Sequence, residues 1–200
     1  MRYLTICRRA LPLLVIAACT SGPDPSDPSG QLAIVKIPAS APALFNDSVS
    51  FYAKVGRDDE GFIYFKTAAG ARGEKFARIR IRQRSLASRP DGTPFGGTDS
   101  VLIVMKVVNP LELGVELLPS GIHFNGSDPA ELRIEYEATK GDLNGDGQKD
   151  AKDDAIEQKL ALWRQEKPGD PLVKIGTVKT DGLRELKADL VSFSRYYIAY

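Results

Sequence analysis

The chain is poor in the residues that carry most recognisable chemistry. Of its 200 residues, two are cysteine, two methionine, one histidine and one tryptophan. Both cysteines, Cys7 and Cys19, fall at the amino-terminal end, so everything after residue 19 lacks a thiol. That excludes a disulfide, a thiolate metal site and a cysteine nucleophile from the remainder. One histidine, His123, cannot build a multi-histidine zinc site. It would also have to be the base of any serine hydrolase, and no G-x-S-x-G elbow is present to carry the nucleophile. The glycine-bearing stretch Gly70-Ala71-Arg72-Gly73-Glu74-Lys75 lacks Walker spacing and puts Phe76 where a Ser or Thr belongs, so it reads as a loop. An excess of one charge is missing too: 27 basic residues face 26 acidic ones, which gives no bulk attraction to nucleic acid. Acids are plentiful, and a glycosidase-type pair among them is a question only geometry answers.

What is present begins at the amino terminus. Arg2, Arg8 and Arg9 form a positive region, and residues 10–18 form an apolar run ending in Ala17-Ala18. The run is far below the roughly 20 residues that a spanning helix needs, and it has the form of a signal peptide over residues 1–18. Ile16-Ala17-Ala18-Cys19 resembles the lipobox of bacterial lipoproteins: an aliphatic residue, two small ones, then cysteine. The resemblance implies cleavage before Cys19, lipid on Cys19 and export to the bacterial cell envelope. Thr20 after the cysteine, in place of Asp, is similar to lipoproteins of the outer membrane. An ordinary cleaved signal with an incidental cysteine is the alternative. Residues 19–31 are rich in Pro, Ser and Asp, with nothing to bury, and read as a tether. Loss of the three leader arginines takes Lys+Arg from 27 to 24 against 26 acids, so the expected mature charge is about −2.

From Leu32 onward the hydrophobic period is mostly two. Strands are predicted over 32–37, 49–55, 62–67, 76–82, 101–108, 114–118, 132–137, 172–179, 186–191 and 195–200. Turn signals such as Asp58-Asp59-Glu60-Gly61, Pro90-Asp91-Gly92 and Asp181-Gly182 separate them. Many short strands with frequent turns predict an all-β chain, an antiparallel β-sandwich, as one domain over 32–200. One short helix is expected over 151–160.

The strand over 76–82 carries an arginine stripe. Arg78, Arg80, Arg82 and Arg84 fall on one face, because strand side chains alternate. A basic stripe suits an anionic glycan or phosphate. A solvated sheet face paired with acids is the favoured alternative, and Glu131, Glu135 and Glu137 alternate in the same way on a second strand.

The most informative stretch is 142–153. Counting from Asp142, oxygen-bearing side chains occupy positions 1, 3, 5, 9 and 12 (Asp142, Asn144, Asp146, Asp150, Asp153), with Gly147 at position 6. Calcium takes six to eight hard oxygens, and a short loop must curl to supply them. Gln148 would add its backbone carbonyl, and Asp153 would close the loop. The spacing resembles the EF-hand loop, and more closely that of dockerins, where the closing residue is often Asp. Three features depart from those families: Lys149 stands at position 8, the loop is single, and a strand precedes it. A calcium loop inserted between β-elements is therefore expected, with a metal-free acidic turn as the alternative. A structural cation site is expected rather than a switch.

Further resemblance lies in the last half. Pro119-Ser120-Gly121-Ile122-His123-Phe124, then Pro129-Ala130-Glu131-Leu132-Arg133-Ile134-Glu135-Tyr136, then Val191-Ser192-Phe193-Ser194-Arg195-Tyr196 resemble the ZU-type β-sandwich domain over residues 112–200. Some members of that family cut themselves between the Phe and Ser of a His-Phe-Ser motif. Here Ser192 stands in the histidine position, and serine is no base near neutral pH, so no self-cleavage is expected. Phe193 is expected in the core with Tyr196 beside it. His123 reads as an exposed strand residue with Ile122 and Phe124 turned the other way. Trp163 reads as core or as a ligand-stacking ring, and Asn125-Gly126-Ser127 as a turn. The function expected from all this is non-enzymatic: a membrane-tethered, calcium-stabilised interaction or envelope-structural lipoprotein. A glycan-binding or glycan-processing module is the alternative. An envelope protein or a glycan is the expected partner, and nucleic acid is not.

Overall fold

Residues 32–180 and 182–200 are described by a computed structural model of the chain. The expected signal peptide over 1–18, the expected lipidation site Cys19 and the expected tether over 19–31 lie outside the described residues. In chain order the strands begin with β1 (Ser48–Lys54), β2 (Asp59–Lys66), β3 (Arg72–Ile81), β4 (Leu86–Ser88), β5 (Ser100–Val107), β6 (Gly114–Leu118) and β7 (His123–Phe124). They continue with β8 (Ala130–Glu135), β9 (Ala161–Gln165), β10 (Val173–Lys174), β11 (Val178–Thr180), β12 (Glu185–Leu190) and β13 (Arg195–Ala199). A 3-10 turn, Glu137–Thr139, and the helix α1 (Ala151–Lys159) stand between β8 and β9.

The strands form two antiparallel sheets and a small two-stranded ribbon. One sheet has the order β1-β5-β6-β13-β9-β10, the other β11-β12-β8-β3-β2, and β4 pairs with β7. The described residues thus form an all-β antiparallel sandwich with a single short helix. It follows from the two-residue period: in β3, Ile79 and Ile81 are buried while Arg78 and Arg80 face outward. In β8, Leu132 and Ile134 go in while Arg133 and Glu135 stay half-exposed. Their inward partners on the facing sheet include Ile103, Met105, Leu117 and Ile198, and these residues share one apolar core. Phe193 and Tyr196 are in that core as expected, with Phe193 edge-on to Phe124 at 4.8 Å.

Three elements differ from the sequence reading. The predicted strand 172–179 is two strands in different sheets, because the chain turns a corner at 175–177, where Ile175 N donates to Leu162 O and Leu162 N to Thr177 Oγ1. β9 was not predicted: Leu160-Ala161-Leu162 is apolar without alternation, and its place between β13 and β10 comes from tertiary pairing. The segment 32–37 is extended but joins the sheet only through single bridges at Ile34 and Lys36. It wedges between residues 111–113 and 198–200, with Val35 N donating to Ile198 O and Leu113 N to Val35 O. The ribbon strands β4 and β7 are too short for periodicity to show.

Candidate metal centre

The loop expected to hold calcium follows β8 directly. Tyr136 and the 3-10 turn lead to Lys140 and Gly141, both at positive φ (52° and 87°). Gly141 is needed for a second reason: a Cβ there would lie 2.9 Å from Lys149 Cδ, so the methylene stem of Lys149 folds over the glycine. Lys149 thereby supplies apolar contact at the position where paired loops carry an aliphatic residue. Leu143 is buried and pins the loop to the core. Gly145 and Gly147 also take positive φ, which side chains resist. The space beside Gly145 is filled by Lys36, so the loop abuts the amino-terminal wedge.

The acids and amides expected as ligands are turned onto the loop's own backbone. Asp142, nearly buried, accepts Gly145 N at 2.8 Å and Gly147 N at 3.0 Å. Asn144 Oδ1 accepts Asp146 N at 2.8 Å, and Asp146 Oδ1 accepts Gln148 N at 3.0 Å. Asp150 is the N-cap of α1, and Asp153 completes a capping box with it. Asp153 is 1% exposed and ties the two ends of the loop together. One of its oxygens accepts Leu143 N at 2.8 Å and Asn144 N at 3.2 Å, and the other accepts Asp150 N at 2.9 Å. Gln148 is exposed.

In donor chemistry this set fits calcium, because every side chain offers hard oxygen. In placement the acids are not gathered around one point, and among the described residues no group of three or more His, Cys, Asp or Glu side chains is positioned to hold a metal. The helix that follows has little apolar face; Tyr136 Oη donates to Glu157 at 3.1 Å, and Lys179 pairs with Glu157 at 3.3 Å.

The arginine stripe has acidic partners. Arg78 pairs with Glu60 at 2.5 Å, Arg80 with Asp58, and Arg82 with Glu131 at 3.0 Å. Glu131 was anticipated; Asp58 and Glu60 were not, because a turn and a neighbouring strand place them and no local pattern announces it. Glu135 and Glu137 do not serve the stripe. Glu131 also accepts Arg133 at 2.7 Å and Lys187 at 3.3 Å. Burial alone would raise its carboxyl, but these cations hold it down at about 2.

Other candidates are placed as follows. His123 is exposed between buried Ile122 and Phe124, as expected, and bridges to Ser192. Ser194 Oγ is buried and accepts Arg164 Nε at 2.7 Å. Trp163 is half-buried and donates to Ala199 O at 3.1 Å, an anchoring role. On the outer face of β2, Phe62 and Tyr64 stack at 5.8 Å, with Arg72 over Tyr64 at 4.6 Å. No local pattern in the sequence marks this aromatic pair or a carboxylate pair, Glu135 and Glu185. Only strand register brings the latter together. Comparison with protein-family models, with curated proteins and with solved structures gives no match to this chain.

Proposed function

We propose that this protein is a lipid-tethered, calcium-stabilised β-sandwich of the bacterial cell envelope, acting as an interaction or structural element rather than as an enzyme. The observation that carries the reading is the loop 142–153, which carries oxygen-bearing side chains at the calcium-loop spacing and whose closing carboxylate, Asp153, holds both ends from a buried position. Hard oxygen donors on a curled loop match what calcium requires. The lipobox-like segment at Cys19 supports the anchor, and the resemblance of residues 112–200 to ZU-type sandwiches supports an interaction role.

Thermal unfolding of the domain in calcium and in chelator tests the cation. At free calcium about 100-fold above Kd, the stabilisation is about 2.7 kcal/mol. The melting temperature rises with calcium in the wild type and not in Asp142→Ala/Asp146→Ala. An equal rise in the double variant overturns the assignment. Glycan binding is the second reading, favoured by the stacked Phe62 and Tyr64 with Arg72 over Tyr64. A glycan screen with Tyr64→Ala as control separates the two.

A further inference from the structure

The outer face of the five-stranded sheet arranges its charges in rows across the strands. Glu60, Arg80, Glu131 and Asp189 lie opposite one another in one row. Phe62, Arg78, Arg133 and Lys187 form the next. Each cation of the second row has an acid of a neighbouring row to pair with. In the third row the complementarity fails: Glu135 on β8 stands directly opposite Glu185 on β12. Side chains so placed lie on one face with Cβ atoms about 4.5–5.5 Å apart, and like charges there repel.

The two carboxyls are held very differently. Glu185 is buried and engaged by Arg133 at 3.0 Å and Thr180 Oγ1 at 3.5 Å. Glu135 is half-buried, and its carboxyl has no hydrogen bond and no ion pair among the described residues. Burial pushes it up, Glu185 and Glu74 add to that, and Lys75 and Arg133 oppose it, leaving it at about 7. The charged groups that act on it most strongly are Lys75 and Glu74 from β3, Arg133 from its own strand, and Glu185 from β12. The pair is also the last register position of β8 with β12. Beyond it the chain turns through Arg184, a non-glycine residue at φ 42°, into β11, the edge strand, which pairs with β12 alone.

We propose that Glu135, opposite Glu185, forms a proton-dependent latch on the β11–β12 hairpin: closed while Glu135 is protonated, loosened when it ionises beside Glu185. A neutral Glu135 places no second charge beside its acidic neighbour, whereas an ionised one sets two anions side by side at the strand end. The loosening is confined to β11 and the first residues of β12, because β12 pairs with β8 over six residues.

Amide hydrogen exchange on the full domain, corrected for the intrinsic effect of pH, reads the latch. Protection across β11 and the start of β12 falls about tenfold between about pH 6 and pH 8, while β5 and β6 do not change. In Glu135→Gln the profile is flat. Carbon-13 titration of Glu135 in the wild type keeps the test independent of how the variant folds, and a midpoint near 7 that tracks the loss of protection supports the latch. A midpoint below about 5, wild-type protection that ignores pH, or a folded Glu135→Gln that still loosens as pH rises each overturns it.

Discussion

Asp153→Ala separates the loop's own architecture from any cation it binds. The wild-type carboxylate takes three backbone amides and completes the capping box of α1. Alanine removes all of these, and Leu143 N, on a buried residue, has no water to turn to. An unmet buried donor costs about 1–3 kcal/mol, and each other lost amide bond about 0.5–1.5 kcal/mol. The sum is about 2–4 kcal/mol, because the bonds share one carboxylate and do not add fully. For a domain of this size each kcal/mol moves the melting temperature by about 2–4 °C. Thermal unfolding in excess chelator therefore shows Asp153→Ala melting about 4–16 °C below wild type. Asp150→Ala, which loses the N-cap bonds from Lys152 N and Asp153 N, costs about 1 kcal/mol and lowers the melting temperature by about 2–4 °C. The reasoning is refuted if Asp153→Ala in chelator matches the wild type, since the carboxylate would then matter only through a metal.

Two other predictions rest on different parts of the fold. Glu131 has its carboxyl lowered to about 2 from an ordinary 4.5, so its contribution is complete above about 4.5 and fades as pH falls toward 2. Glu131→Gln leaves Arg82, Arg133 and Lys187 without their shared anion, which costs about 2–4 kcal/mol at neutral pH, and it flattens acid unfolding; urea denaturation across pH measures both. Gly114→Ala places a Cβ 2.4 Å from Tyr197 Cδ1 and 3.3 Å from Tyr196 O, and overpacking at such a site costs about 1–3 kcal/mol. Chemical denaturation with Tyr197→Ala as a second site checks it, since removing the ring relieves the Gly114→Ala penalty if the ring is its cause.

The sequence by itself determined the class of the fold. Alternation in segments such as 76–82 and 132–137 states which face is apolar, and the observed strands bury those faces because a sheet can hide only one set of side chains against its partner. It also marked the loop: oxygen-bearing residues at alternate positions and a glycine at the sixth are local facts, and local curling follows from them. The cysteine count similarly left residues 20–200 without a covalent staple.

Tertiary structure alone decided which distant residues meet. Asp58 and Glu60 neutralise arginines of β3 because β2 lies beside it. β9 takes an interior place because β13 offers a free edge to an apolar run with no alternation of its own. Glu135 faces Glu185 because β8 and β12, some fifty residues apart in the chain, pair in one register and not another. A register shift of a single residue would send those carboxyls to opposite faces, so no reading of either strand alone contains their encounter.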